Sequence, residues 1–171
     1  MDYRDWQERI FHRSDMTIGL VHLTKRTEDK SALEVLVKIL KDKKLKAGKG
    51  FVCGKNKVVC FQDVPLHSIS ENIFYEQQVR EEMKCSVRYE PCGLRFSKVK
   101  IYKAGGRPVV YELTSMAKKL FVEDEHWRIV CLNLSDLDNI IDWTHEREWR
   151  IKGDFSFEWE DVKSCLVRNT V

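Results

Sequence analysis

The chain has 171 residues, 43% of them hydrophobic and 33% charged, with a formal net charge of +3. That length fits one domain with a real core, and so mild a charge does not by itself demand a nucleic-acid partner. No apolar run nears the roughly 20 residues of a membrane-spanning helix. The opening Met1-Asp2-Tyr3-Arg4-Asp5-Trp6 lacks the basic-then-apolar layout of a signal peptide, so a cytoplasmic protein with no membrane partner is expected.

Residues 1–15 carry Tyr3, Trp6, Ile10 and Phe11 at a spacing that fits an N-terminal arm or short helix. Met16 to Leu23 reads as a strand. Ser31 and Glu34 form a capping box, followed by Leu33, Leu36, Ile39 and Leu40 at helical spacing. This helix should end near Lys44 to Gly48. A loop around Gly54 leads into a short buried strand, Val58 to Phe61. Pro65 ends that strand, and a helix is expected from Leu66 to Met83. Gly93 to Lys98 alternates as a strand does, with Leu94 and Phe96 on one face. Gly105-Gly106 is a turn before a strand from Pro108 to Tyr111. Helices are expected at Leu113 to Phe121 and around Leu134 to Ile141. Glu146 to Ile151 and Val162 to Val167 read as strands, with a Gly153-Asp154 turn between them. Elements interspersed without a βαβ rhythm point to α+β, as a single domain over residues 1–171.

The cysteines at 53, 60, 85, 92, 131 and 165 show no C-x-x-C spacing, so free thiols are expected and no metal. The stretch from Asp142 to Ile151 concentrates charge and tryptophan. On a strand, Glu146 and Glu148 would share one face and Trp143, His145, Arg147 and Trp149 the other. Two such carboxylates could serve glycosyl transfer, with Glu148 stabilising an oxocarbenium-like ribose and Glu146 polarising the nucleophile. The alternative is an exposed face laced by Arg147, Arg150 and Lys152. His22 and Thr24 share a strand face and could bond ribose hydroxyls, or be satisfied by backbone partners. Phe61 could stack on a planar ring, and Asp63 could cap a helix or meet a ligand; a buried strand with an ordinary cap is the plainer reading. Lys43, Lys44, Lys46 and Lys49 could touch phosphates or form a solvated helix end.

The order of the segments carries more than any one of them. Cys60 to Pro65 reads CF-x-D-x-P, Gly93 to Lys98 reads G-x-x-F-x-K, and Pro108 to Tyr111 reads PVxY, ahead of Glu146-Arg147-Glu148-Trp149-Arg150. Over residues 18–152 this resembles the AbiGi-type abortive phage-resistance proteins. More distantly, the layout is similar to the ADP-ribosyltransferase fold, including DarT-like enzymes and RNA 2′-phosphotransferases. The resemblance implies a split, bent antiparallel sheet with flanking helices and NAD as substrate. Mapped by position, it further implies His22 on ribose, Phe61 on nicotinamide and Glu148 as the catalytic carboxylate; in that reading Thr24 would join His22 on ribose and Glu146 would prepare a nucleic-acid or protein acceptor. Phenylalanine at the middle position departs from the tyrosine or serine of that superfamily. The competing reading is a non-catalytic or antitoxin-like module with a cognate protein partner, marked by Glu148 paired to Arg147 or Arg150. A third is nucleic-acid binding through the lysine run, with Arg95 and residues 98–103.

Overall fold

The capping box closes as the sequence dictates. Glu34 N–H donates to Ser31 Oγ at 3.3 Å, and Ser31 N–H donates to Glu34 Oε2 at 2.8 Å. In the computed structural model, residues 1–82 and 88–168 are described, without the side chains of 80 and 81. In chain order the elements are α1 (Tyr3–Phe11), β1 (Gly19–Leu23), α2 (Ala32–Asp42), β2 (Lys44–Leu45), β3 (Val58–Gln62), α3 (Leu66–Glu82), β4 (Gly93–Ser97) and α4 (Lys98–Lys103). There follow β5 (Arg107–Pro108), β6 (Val110–Glu112), α5 (Thr114–Leu120), β7 (Ile129–Cys131), β8 (Glu148–Lys152), β9 (Phe155–Ser156) and β10 (Val162–Leu166). The class is α+β, with mostly antiparallel strands. Met83 and Cys85 lie outside the described residues.

The chain groups into two compact units. The first comprises Met1–Lys43, Asp63–Lys98 and the chain from Phe157 onward. Its sheet runs β10-β4-β1, antiparallel throughout, with Leu20 opposite Phe96 and His22 opposite Leu94. Alternation on β4 buries Leu94 and Phe96 completely and leaves Arg95 and Ser97 half-buried. Ile69 and Ile73 of α3 pack with Val21 and Tyr89, and Phe157 meets Phe96 edge-on at 5.1 Å. Gly93 has no room for a side chain: a Cβ there would stand 2.5 Å from the His22 carbonyl oxygen.

The second unit comprises Lys44–Gln62 and Val99–Ser156. Its sheet runs β3-β8-β5, with Phe61 opposite Trp149 and Gln62 opposite Glu148. Two short pairs accompany it, β2 with β9 antiparallel and β6 with β7 parallel. Val59, Ile151, Ile129 and Phe155 supply its core.

Three expectations are corrected. Glu146 does not lie on the strand. Asp142 Oδ1 accepts from the Thr144 N–H at 2.8 Å and from its hydroxyl at 2.6 Å, and this local bonding competes with strand pairing. A 3₁₀ turn over Thr144–Glu146 follows, Arg147 takes a left-handed conformation at φ 43°, and β8 starts at Glu148. Glu146 and Glu148 therefore do not share a strand face. The helix expected around Leu134 to Ile141 is absent, for the same reason. Asn133 Oδ1 accepts from Ser135 and Asp136 Oδ1 from the Asp138 N–H, while Asn133 and Ile141 pair as an isolated bridge. The strand expected from Pro108 to Tyr111 is two: β5 ends on Pro108, which has no N–H to donate, and β6 turns to a different partner. The β2–β9 pair had no signal, since two-residue strands carry too little periodicity.

Candidate functional site

Glu148 opens β8 and is 7% exposed; Arg150, two residues on, is 5% exposed. Residues two apart on a strand project to one face, and here they bond each other. Arg150 Nε donates to Glu148 Oε1 at 2.8 Å and Nη2 to Oε2 at 3.1 Å, a bidentate fork. Arg150 Nη1 donates to the Trp127 carbonyl at 2.7 Å and to the Ile129 carbonyl at 3.3 Å. Burial alone would lower the Arg150 pKa, but the bonds and charge of Glu148 more than offset it, so the group is held charged.

Two further groups converge on the pair. The Tyr111 hydroxyl accepts the Glu148 N–H at 2.7 Å. Its pKa is pushed up to about 12, first by burial, so it stays neutral. Cys60 lies opposite Arg150 on β3. The residue keeps exposed surface, yet its thiol is raised well above the ordinary value, first by desolvation and then by the Glu148 charge. Such a thiol stays protonated and is a poor nucleophile. Glu146 is half-buried and adds only the weakest of the charges acting on Cys60.

The remaining expected residues have structural surroundings of their own. Phe61 is 1% exposed and meets Phe155 edge-on at 6.0 Å, so its ring is already covered. Thr24 is 4% exposed, and its hydroxyl stands 3.2 Å from the carbonyl oxygens of both Ala32 and Cys92. That commits it to the backbone, contrary to the expected ribose contact. His22 is half-buried. His22 and Thr24 belong to the first unit, and Phe61, Glu146 and Glu148 to the second. Asp63 pairs with Lys98 at 2.7 Å within the first unit.

The lysine run is largely engaged. Lys43 caps α2 in a left-handed conformation and bonds Glu158 at 2.5 Å. Lys44 stands 3.8 Å from Asp154, and Lys49 donates to the Gly54 carbonyl. Lys46 is exposed. Such contacts describe a solvated helix end and turn better than a continuous phosphate track.

Sequence reading missed Tyr111 and Cys60 as partners of Glu148, although both sit inside the ordered segments. The CF-x-D-x-P segment supplies Cys60, the PVxY segment supplies Tyr111, and the last segment supplies Glu148 and Arg150. The Asp63–Lys98 pair likewise joins CF-x-D-x-P to G-x-x-F-x-K. No protein-family model, no curated protein and no solved structure matches this chain. Among the described residues no group of three or more side chains could hold a metal, and no helix is long and apolar enough to cross a membrane.

Proposed function

We propose that this chain is a non-catalytic binding module of abortive-infection type, with a cognate protein as its partner. One observation carries the reading: both oxygens of Glu148 are taken by Arg150, inside a buried network that also holds two backbone carbonyls. A catalytic carboxylate must be offered to the substrate in the transition state. Freeing Glu148 would strand a buried guanidinium, and breaking such a pair costs about 3–5 kcal/mol. The covered ring of Phe61 and the committed hydroxyl of Thr24 support the same reading.

The second reading is an ADP-ribosyltransferase-like enzyme that cleaves the nicotinamide–ribose bond of NAD. Its support is the register pair Gln62–Glu148, two buried polar residues facing each other in a ladder that also buries Val58, Val59, Phe61, Ile151 and Arg150. Mass spectrometry of nicotinamide release, with and without nucleic acid and cell extract, separates the two. Neither release nor NAD binding by calorimetry is the result expected. Release that disappears in Glu148→Gln, with the fold intact, would overturn the binding-module reading.

A further inference from the structure

The second unit leaves two aliphatic faces uncovered. On α5 and its N-cap, Leu113, Met116 and Leu120 stand at i, i+3 and i+7, a stripe beside the buried Ala117. All three are exposed, Leu120 by 75%. In the loop after β7, Leu134, Leu137 and Ile140 are exposed as well, Leu137 by 87%. The loop is held in place. Asn133 and Ile141 exchange backbone hydrogen bonds of 2.9 and 3.0 Å across its base, and the Asn133 and Asp136 side chains accept bonds inside it. Single exposed aliphatic residues are ordinary, but two sets of three on one unit mark an interaction surface.

The two faces carry opposite charge. Helix α5 holds Lys118 and Lys119 and no acid, while residues 134–140 hold Asp136 and Asp138 and no base. Among the described residues none of these four side chains is in an ion pair. Both faces also leave the same end of one strand pair. β6 and β7 run parallel with Glu112 opposite Cys131, and the Leu132 N–H donates to the Glu112 carbonyl at 3.2 Å. Leu113 and Leu132 thus leave the pair side by side, and α5 follows the one and the loop the other.

We infer that a second copy of this chain covers these faces, in a two-fold dimer whose acidic loops each pack on α5 of the other copy. A two-fold interface is self-complementary, so a surface that gives a base on one copy must meet an acid on the other. The second unit supplies both. The aliphatic residues form the centre of such an interface and the charges its rim. An anionic membrane or a nucleic-acid strand would suit the lysines alone, and Asp136 and Asp138 stand against either. The inference does not rest on the binding-module reading: NAD turnover would overturn that reading and leave the dimer standing.

The test is sedimentation equilibrium of the full chain at up to about 100 μM, which resolves a dimer of micromolar affinity. The parent should be dimeric. Lys118→Glu with Lys119→Glu should weaken the dimer about tenfold or more, and so should Asp136→Lys with Asp138→Lys, because each sets like charges together at both contacts. An equimolar mixture of these two variants should dimerise as the parent does, since each contact then joins opposite charges again. Leu137→Ser, at a side chain on which the fold does not depend, should weaken the dimer as well. A monomeric parent would overturn the inference and assign the faces to a different partner. A charge variant or Leu137→Ser that dimerises as tightly as the parent would overturn it too, as would a mixture no more dimeric than its components.

Discussion

Glu148 and Arg150, two positions apart on one strand, hold each other through two hydrogen bonds of 2.8 and 3.1 Å while each is less than a tenth exposed. The pair joins β8 to the segment before and within β7, because Arg150 also bonds the carbonyls of Trp127 and Ile129. The Glu-Trp-Arg sequence thus works as a structural clamp of the second unit.

Arg150→Met should destabilise the protein by about 3–5 kcal/mol, because it leaves the Glu148 carboxylate buried and uncompensated. Replacing both residues, Glu148→Leu with Arg150→Met, should recover most of that loss, since a buried ion pair and an apolar pair are often close in energy. Denaturant unfolding of the two variants checks this. A double variant as unstable as the single one would place the cost in the two carbonyls that Arg150 serves.

Tyr111→Phe should cost about 1–3 kcal/mol, the penalty for an N–H left without its acceptor. Glu148 N–H is that donor. Amide exchange at Glu148 should accelerate in the variant while exchange in the first unit stays unchanged.

Thr24→Val keeps the shape of the side chain and removes the hydroxyl that reaches Ala32 and Cys92. A loss of about 1 kcal/mol in unfolding free energy is expected. NAD-dependent stabilisation that vanished in this variant would instead restore the ribose contact.

Glu90 accepts from the Arg26 side chain and backbone at 2.8–3.1 Å, and these bonds lower its pKa from the ordinary 4.5. A folded-state pKa below the unfolded one means that the unfolded chain binds the proton more readily. The contribution is therefore complete above about the ordinary value and is lost as pH falls through the folded one. The gap in melting temperature between the parent and Glu90→Gln should be full at neutral pH and close in acid below that value.

What the sequence made legible follows the strength of its local signals. The capping box at Ser31, the alternation at Leu94 and Phe96, and the Gly153 turn at φ 79° each appear where the residues put them. The misreadings cluster where Asp and Asn side chains bond their own backbone, at Asp142 and at Asn133, since periodicity does not register those bonds. At the candidate site the sequence singled out Glu148 and offered Arg147 or Arg150 as its partner, but not the rest of its surroundings. Whether a carboxylate faces a substrate or a guanidinium depends on contacts from Tyr111, Trp127 and Ile129, all distant in sequence. Of the two arginines the sequence offered, strand geometry alone favours Arg150, which stands two residues from Glu148 and so on the same face.

The most direct measurement is the unfolding free energy of Glu148→Gln against the parent by denaturant titration. A structural clamp predicts a loss of about 3 kcal/mol or more, because the Arg150 charge loses its buried counter-charge. A change within about 0.5 kcal/mol, the ordinary range for substitutions that break no special feature, would contradict the account and return Glu148 to the role of a carboxylate held ready for chemistry.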